Sequence, residues 1–379
     1  MRDMSFTRYF VPALVAVTSV ACLKATSSGQ SAGSGGGSVT GVGGAGGSTS
    51  AVPGGGAPAS AGASVVIVGA SGTGDGGGAA VKMACTDSPN QQTALPYTQG
   101  YVISPAAKSQ AASLVQAMTV TQKANQLRGP NTTGYDDIFR TADDANVKGF
   151  QFADGPRGVN LDPYKPKGSQ GYATVFPAAS GRGATFDTDL ENKIGAAMGD
   201  ELIAAGRTML LGPTVNVLRH PAWGRSEETY GEDSFLLGRL GSAFVQGVQQ
   251  YAPACVKHYA ANNIEHLRET TTAQMEENTL QDVYARHFGM IIKDGGVSCV
   301  MAAYNLIQAP PTGTALNCTQ NKHLLTDILR SEFGFQGMVL SDWWAMPGGQ
   351  NLSGQASANS AQAILAGMDM ELPWKAPCC

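Results

Sequence analysis

Charged residues are scarce in this chain, and neither sign is in large excess. Only 14% of the 379 residues are charged, and the formal net charge is -4. Nucleic-acid-binding domains carry a surplus of Lys and Arg against phosphate groups, so the composition argues against that class. Hydrophobic residues make up 42%, an ordinary share for a globular protein, and the length allows one large domain or two medium ones.

No apolar run near the N-terminus is long enough to cross a bilayer. The run Tyr9–Ala21 is short and follows Arg2 and Arg8, as in a secretory signal peptide. Cleavage before Cys22 would create the lipid acceptor of a bacterial lipoprotein, although Ser19 stands where such signals usually carry Leu. We therefore predict a signal peptide over 1–22 and export to the periplasm, the exterior or the cell envelope, with lipid anchoring through Cys22 and plain secretion both left open.

Nucleotide and zinc motifs are lacking as well. The run 65–68 and the glycines after it begin like a phosphate loop, but no G-x-x-x-x-G-K-[ST] pattern completes it. No pair among the seven cysteines has zinc-site spacing, so neither a metal nor another cofactor is expected. Cys255 and Cys299 lie in apolar runs and are expected to be small core residues.

Glycine, by contrast, is abundant, with 49 residues that are unevenly spread. Residues 27–80 are dominated by Gly, Ser and Ala. Such a segment cannot bury enough apolar surface to offset the entropy lost on ordering. Residues 23–100 are therefore predicted to be a flexible linker, and residues 101–379 the folded domain.

The remainder alternates between helical and strand-like segments. Thr119 and Gln122 are spaced as a capping box at one helix start, and Asp187 is placed to cap a helix with an apolar face from Leu190 to Leu202. Short apolar runs between helices predict parallel strands with crossover helices. About 270 residues of this α/β pattern is the size of one (β/α)8 TIM-type barrel. A doubly wound sheet is the alternative, but no G-x-G-x-x-G motif opens it.

Polar side chains recur just after the predicted strands. They are Asp154, Arg219, Lys257, His258, Tyr304 and Asp342. In a barrel the carboxyl ends of the strands share one face, and that face carries the chemistry. Any one of these residues alone would fit a solvated loop or a cap, but their shared placement predicts a common site.

The predicted site combines two carboxylates with several cations and indole rings. The cations are Arg219, Lys257, Arg268 and, less directly, Arg225. Cations favour the ionised form of Asp154 and Asp342, and an ionised carboxylate can attack or can stabilise a developing positive charge. Trp343 and Trp344 add flat apolar faces, of which one is expected to pack in the core. Together these groups suit a pyranose ring.

The same residues stand in motifs that resemble glycoside hydrolase family 3, most of all its β-glucosidases. The resemblance runs from about Ser104 to Pro373 through 118–123 (MTVTQK), 154–159 (DGPRGV), 176–177 (FP), 219–225 (RHPAWGR), 230–233 (YGED), 257–262 (KHYAAN), 301–305 (MAAYN), 334–337 (GFQG), 341–343 (SDW) and 366–371 (AGMDME).

By this resemblance Asp342 is the nucleophile of a retaining β-glycosidase that releases terminal non-reducing β-D-glucosyl residues through a covalent intermediate. The sugar would be gripped by Asp154, Arg219, Lys257, His258, Arg268, Tyr304 and Trp343. Arg225 is expected to brace its loop, and Glu265 to be an ion-pair partner. Asp154 favours a hexose, with β-xyloside as the runner-up substrate.

A retaining mechanism requires a second carboxyl group roughly 5 Å away. In the β-glucosidases that the chain resembles, this acid/base Glu lies on a sandwich domain after the barrel. We therefore expect the acid/base to lie outside a chain that ends at Cys379, and the isolated chain to turn over very slowly. Some N-acetylglucosaminidases of the family use a His on a Lys-His-Phe-Pro-Gly loop, but residues 257–261 here are KHYAA.

Two other functions stay open on the sequence. The first is a non-catalytic or weakly catalytic sugar-binding barrel on the cell surface. The second is a Schiff-base aldolase, because Lys257 follows a predicted strand. The aldolase is disfavoured, since the arginine-rich surroundings and the paired carboxylates suit no evident carbonyl substrate.

Overall fold

The computed structural model describes residues 102–130, 139–141, 143, 147–161, 171–310, 313–347 and 356–373. The predicted signal peptide 1–22 and the predicted linker 23–100 lie outside these residues, as does Cys22. Within the described ranges, no helix has both the length and the apolar character needed to cross a membrane.

Helices and strands alternate along the described chain. The strands are β1 (Phe152–Asp154), β2 (Met209–Leu211), β3 (Cys255–Tyr259), β4 (Thr272–Gln274), β5 (Cys299–Ala302), β6 (Leu306–Gln308), β7 (Leu316–Asn317) and β8 (Met338–Ser341). The α-helices are α1 (Pro105–Ala117), α2 (Val120–Asn125), α3 (Ala179–Gly183), α4 (Thr188–Ala204), α5 (Ser234–Val248), α6 (Glu277–Thr279), α7 (Arg286–Met290) and α8 (Ala356–Ala366). π-Helical segments occupy Leu280–Ala285, Ile291–Gly295 and His323–Glu332, and 3-10 turns occupy Ser226–Glu228 and Cys318–Gln320.

The central strands run parallel and side by side. β1 pairs with β2, and β3 pairs with β5, which in turn pairs with β8. Parallel bridges at Leu210–Ala254 and Leu340–Met370 extend this order from β2 to the start of β3 and from β8 to the segment after α8. A separate small sheet contains β4, β6 and β7. The predicted α/β architecture is thus confirmed, whereas closure into a TIM-type barrel stays a prediction.

Both faces of the central strands are buried. Side chains alternate between the two faces of a strand, and the structure divides them into two apolar clusters. One cluster includes Ala153, Leu210, Val256, Val300 and Val339, and the other includes Phe152, Met209, Cys255, Cys299 and Leu340. Two-sided burial explains why each of these strands contains consecutive apolar residues in the sequence.

The predicted helix starts are confirmed, with one error in a helix face. Thr119 and Gln122 form the capping box of α2, and the Asp187 carboxylate accepts the Leu190 N–H at the start of α4. Leu190, however, is 38% exposed and does not belong to the buried face. Glu191 takes the buried position in that first turn, because it has a buried cationic partner.

Cys255 and Cys299 correct an expectation. Both are buried, as expected, but they form a disulfide with a Cα–Cα distance of 4.2 Å. Parallel pairing of β3 with β5 places the two cysteines opposite each other, which their separation of 44 residues does not reveal. Cys318 is buried with a free thiol.

Helices α4 and α5 approach closely at two glycines. A Cβ on Gly195 would lie 2.3 Å from the carbonyl oxygen of Phe244, and a Cβ on Gly247 would lie 2.1 Å from that of Asn192. Both distances are far below van der Waals contact, and both obstacles are backbone atoms. The helices therefore keep this spacing only with glycine at the two positions.

Replacing Gly247 by Ala is expected to lower the free energy of unfolding by ~1–3 kcal/mol. The overpacking cost outweighs the roughly 1 kcal/mol that Ala gains over Gly inside a helix. Urea unfolding followed by circular dichroism measures the effect. Gly181→Ala in α3 is the matched control, because a Cβ there meets nothing within 4 Å. Equal destabilisation by both substitutions would contradict the close helix contact.

Glu371 is a carboxyl group in largely apolar surroundings beside Leu127. Ser360 Oγ donates a hydrogen bond of 2.7 Å to Glu371 Oε2. Burial raises the pKa of Glu371 from 4.5 to about 7, against the smaller opposing effects of Ser360 and Arg128. The folded state therefore holds this proton more tightly than the unfolded chain does.

Stability is expected to fall as the pH rises from about 4.5 through 7, because Glu371 must then ionise in a poorly solvated place. The decrement is about 3 kcal/mol by proton linkage. Urea unfolding of the parent and of Glu371→Gln at pH 5 and pH 8 measures it. The free energy of unfolding of the variant minus that of the parent should be larger at pH 8 than at pH 5. The same difference at both pH values would contradict the expectation.

Candidate active site

Asp342 is a deeply enclosed carboxylate at the end of a central strand. It follows β8 directly, its backbone N–H donates to Ala302 at 3.1 Å, and only 7% of the residue is exposed. Its Oδ1 accepts hydrogen bonds from Tyr304 OH at 3.0 Å and from the Trp343 backbone N–H at 2.7 Å. Its Oδ2 has no hydrogen-bond donor among the described residues. One oxygen is thus held in place, and the other receives no hydrogen bond from the part of the chain that the structure describes.

Burial, rather than the nearby cations, dominates the acidity of Asp342. Burial raises the pKa of Asp342, although Lys257 and Arg225 and the Trp343 N–H act in the opposite direction, while Asp154 adds to the rise. The cations do favour the ionised form of Asp342, as the sequence predicts, but the effect of burial on its pKa is larger. Its desolvation makes Asp342 more basic and hence a stronger nucleophile when ionised.

Lys257 and His258 lie inside β3, not after it as predicted. The strand continues to Tyr259, and its pairing with β5 shifts register between Val256 and Tyr259. This irregularity brings two consecutive buried side chains to one site, where regular alternation would separate them. The Lys257 ammonium donates to Asp154, the last residue of β1, whose side chain is 39% exposed.

Tyr304 is held against Asp342 by a stacked cation. The Arg268 guanidinium lies 3.9 Å from the centre of the Tyr304 ring, and Arg268 Nη1 pairs with Glu265 Oε2 at 2.7 Å. This pair confirms the predicted ion-pair role of Glu265. Glu265 also accepts a hydrogen bond of 3.0 Å from Trp223 Nε1. Burial raises the pKa of Tyr304, which keeps its hydroxyl protonated as the donor to Asp342.

Arg225 braces its loop, as predicted, and also contacts His258. Its Nε and Nη2 donate to the two oxygens of Glu228 at 2.9 and 2.7 Å. Its Nη1 lies 3.0 Å from His258 Nε2. Burial, together with Arg225, Lys257 and Arg268, lowers the pKa of His258 well below its usual range, so the imidazole is neutral.

Two predicted sugar-binding residues, Arg219 and Trp343, lie in surroundings that differ from those of the other predicted site residues. Arg219 follows an irregular segment instead of a strand and is exposed, and within the described ranges no hydrogen bond or ion pair joins it to the other site residues. Trp343 is 7% exposed and packs its ring 5.5 Å from Phe139 and 5.9 Å from Phe152, centre to centre. Trp343 is thus the core-packed indole, while Trp344 is partly buried.

Asn216 is a site residue that the sequence alone does not single out. It is buried between Val215 and Val217 and bonds both the backbone N–H and the carbonyl of His258. The one sequence feature that could have pointed to Asn216 is its amide inside an apolar run. Such a run predicts burial, and a buried polar group requires hydrogen-bond partners. Among the described residues no cluster of His, Cys, Asp and Glu is arranged to hold a metal ion.

Comparison with known proteins shows that the sequence matches a family. The model of the glycosyl hydrolase family 3 N-terminal domain matches residues 162–378. Beta-glucosidase B of Emericella nidulans is 35% identical over 268 residues, which are 70% of this chain and 29% of that protein. Thermostable beta-glucosidase B of Acetivibrio thermocellus is 32% identical over 265 residues, or 69% of this chain and 32% of that protein.

Solved structures agree with the sequence matches. Beta-glucosidase 3B from Thermotoga neapolitana, in complex with glucose, superposes with a TM-score of 0.61 at 30% identity, covering 69% of this chain and 36% of that one. A β-glucosidase of Bifidobacterium adolescentis gives a TM-score of 0.59 at 30% identity, with 68% and 34% covered. The chain thus spans about a third of the length of the relatives it matches. It belongs to glycosyl hydrolase family 3, in whose N-terminal domain its matched residues lie.

Proposed function

We propose that this protein is a retaining, exo-acting β-glycosidase that hydrolyses terminal non-reducing β-D-glucosyl residues, with Asp342 as the nucleophile. The observation that carries the proposal is the asymmetry of the Asp342 carboxylate, with two donors on Oδ1 and none from the described protein on Oδ2. The names of the relatives, which are β-glucosidases, and the glucose complex of the Thermotoga neapolitana enzyme support the choice of substrate.

In the proposed reaction, Asp342 Oδ2 attacks the anomeric carbon and forms a covalent ester. The bond from that carbon to the leaving oxygen breaks, and the leaving oxygen takes the electron pair and a proton from an acid. Water, deprotonated by the conjugate base, then releases the sugar with retained configuration. Tyr304 and the Trp343 N–H orient Oδ1 throughout, so the attacking oxygen needs no reorientation.

The polar groups around Asp342 provide the sugar subsite in this proposal. Asp154 and Lys257 form a pair whose partly exposed carboxylate can accept hydrogen bonds from sugar hydroxyls. His258 lies beside the nucleophile, and Arg268 stacks on the ring of Tyr304, whose hydroxyl binds that nucleophile. Arg219 and Trp343 keep their proposed binding roles from the family resemblance alone.

The finer architecture is also proposed here. We infer that the parallel strands close as a (β/α)8 barrel, because the order from β1 to Met370 is continuous and both strand faces are buried. The proton for the leaving group is assigned to a residue outside this chain, a proposal that agrees with relatives of which the chain covers only 29% and 32%. Export through the segment 1–22 completes the proposal.

Covalent labelling tests the nucleophile without relying on an acid. A 2-deoxy-2-fluoro-β-glucoside with a dinitrophenolate leaving group needs little protonation, so it should form a stable ester on Asp342 that peptide mass spectrometry locates. Asp342→Asn should not be labelled, whereas Asp327→Asn, at an exposed ion pair, should be labelled like the parent. Faster labelling by the corresponding β-xyloside would favour the xylosidase alternative. Failure of the folded parent to label at Asp342 would overturn the proposal.

A further inference from the structure

We propose that Asn216 is a positioning residue that, together with Arg225, fixes His258 in the Nδ1-protonated tautomer, so that the imidazole cannot donate a hydrogen bond to the attacking oxygen of Asp342. This inference rests on the proposed function, because it assigns His258 a task beside the nucleophile. It follows from hydrogen-bond directions on the two ring nitrogens.

The orientation of the Asn216 amide is determined by the backbone of His258. The His258 N–H lies 2.9 Å from Asn216 Oδ1, and the His258 carbonyl oxygen lies 2.8 Å from Asn216 Nδ2. A backbone N–H can only donate, and a carbonyl can only accept. Exchanging the oxygen and nitrogen of the amide would oppose like groups at both contacts, so Oδ1 must face the His258 N–H.

The same Asn216 Oδ1 lies 3.1 Å from His258 Nδ1. An amide oxygen has no proton to give, so the hydrogen of this contact must come from Nδ1. Thr229 Oγ1 donates a hydrogen bond of 2.6 Å to the backbone carbonyl of Asn216, which also holds this residue in place. The first ring nitrogen is therefore a donor.

Arg225 determines the second ring nitrogen. Its Nη1 lies 3.0 Å from His258 Nε2, and a guanidinium can only donate. Glu228 binds the Nε and Nη2 of Arg225, and Thr214 Oγ1 donates to Glu228 at 3.1 Å, so the guanidinium is not free to turn away. His258 Nε2 must accept, and a neutral imidazole with Nδ1–H leaves that nitrogen with a lone pair.

The consequence for the nucleophile is direct. His258 Nε2 and Asp342 Oδ2 are 3.4 Å apart, and both carry lone pairs in this arrangement, so no hydrogen bond joins them. A proton on Nε2 would instead bind Oδ2 and withdraw charge from it, and that bond would have to break before attack on a sugar. Burial of the ring and the cations Arg225, Lys257 and Arg268 oppose a second proton on the imidazole, whereas the Asp342 carboxylate, 3.4 Å from Nε2, would attract one.

Nitrogen-15 NMR of the histidine-labelled full chain tests the tautomer without any substrate. The His258 resonance is assigned by its loss in His258→Gln. We expect Nδ1 to show the shift of a protonated nitrogen and Nε2 that of an unprotonated one at neutral pH. The opposite pattern, or a doubly protonated ring, would overturn the inference and leave the proposed nucleophile untouched. The tautomer itself is measured on the parent protein, and only the assignment of the resonance uses a variant.

Asn216→Asp tests the effect on the nucleophile. A carboxylate at this position flanks the ring with a second negative charge and favours a proton on Nε2. The rate constant for labelling of Asp342 by the 2-fluoro-glucoside should then fall by ~10–100-fold, the range for a hydrogen bond to a charged group. The binding constant of the reagent should stay the same. Asn192→Asp, whose amide bonds the Ala243 carbonyl on another helix, is the matched control.

The outcomes separate the two proposals. Slower labelling in Asn216→Asp, with a His258 spectrum shifted towards protonation and an unchanged Asn192→Asp rate, supports the positioning role. A shifted spectrum with unchanged labelling overturns that role. Absence of labelling in the parent, with the expected tautomer present, overturns the proposed nucleophile and with it the task assigned to His258.

Discussion

Turnover of an activated β-glucoside should fall on the order of 10⁴-fold or more when Asp342 is replaced by Ala, as for the loss of other catalytic nucleophiles, and azide should restore part of it. The substitution removes the only carboxylate oxygens at this position while leaving Tyr304 and the surrounding strands in place. Azide can occupy the vacated volume and attack the anomeric carbon from the same side. The product should therefore be the α-glycosyl azide, which NMR of the reaction mixture identifies.

Tyr304→Phe is the matched control for that experiment. It removes the hydroxyl that donates to Asp342 Oδ1 at 3.0 Å but keeps the nucleophile. The loss should be ~10–100-fold, the effect of one hydrogen bond to a charged group, and azide should not restore it. A β-configured azide product, or equal rescue of both variants, would show that Asp342 is not the attacking group.

The second large effect concerns stability. Replacing Glu191 by Gln should lower the free energy of unfolding by about 3–5 kcal/mol, the cost of breaking a buried ion pair. Glu191 Oε2 lies 3.1 Å from Arg182 Nε, and both side chains are 2% exposed. Tyr230 OH donates to Glu191 Oε1 at 2.6 Å. Without the carboxylate, the Arg182 charge stays buried near the rings of Tyr230 and Phe244 and loses the anion with which it pairs among the described residues.

Urea unfolding measures this loss, and two further variants calibrate it. Tyr230→Phe should cost ~1–3 kcal/mol, because it removes one hydrogen bond from a buried carboxylate and leaves the ion pair intact. Asp327→Asn breaks an exposed pair with Lys322 at 2.7 Å and should cost about 0–1 kcal/mol. A Glu191→Gln effect as small as that of Asp327→Asn would contradict the view that Glu191 compensates the Arg182 charge.

The sequence was sufficient for the α/β character of the fold and for placing several candidate site residues near the ends of strands. Two-sided burial gives the central strands short apolar runs, and three of these runs end near Asp154, Tyr304 and Asp342. Helix starts at Thr119 and Asp187 carry local hydrogen-bonding signals that need no tertiary contact. These features depend on spacing and side-chain chemistry, which a sequence displays directly.

The errors have a common physical origin in contacts between distant segments. Lys257 and His258 were placed after a strand, because a register shift between paired strands leaves no mark on the sequence of one of them. The Cys255–Cys299 disulfide depends on which strand lies next to β3. The net direction of the Asp342 pKa could not be predicted either, because the sequence shows which charges are near but not how far burial removes the carboxylate from water.

Under the proposed function, the two acceptor atoms Asp342 Oδ2 and His258 Nε2 bear on how inhibitors should be chosen for this protein. Asp342 Oδ2 lacks a donor among the described residues, and His258 Nε2, 3.4 Å away, accepts from Arg225 and has no proton to give. A glucose analogue with a protonated amine in place of the anomeric carbon can donate to Oδ2, which a C–H group cannot do. Affinity should therefore follow the basicity of the analogue, with a gain of ~10–100-fold over the neutral sugar for one charge-assisted hydrogen bond.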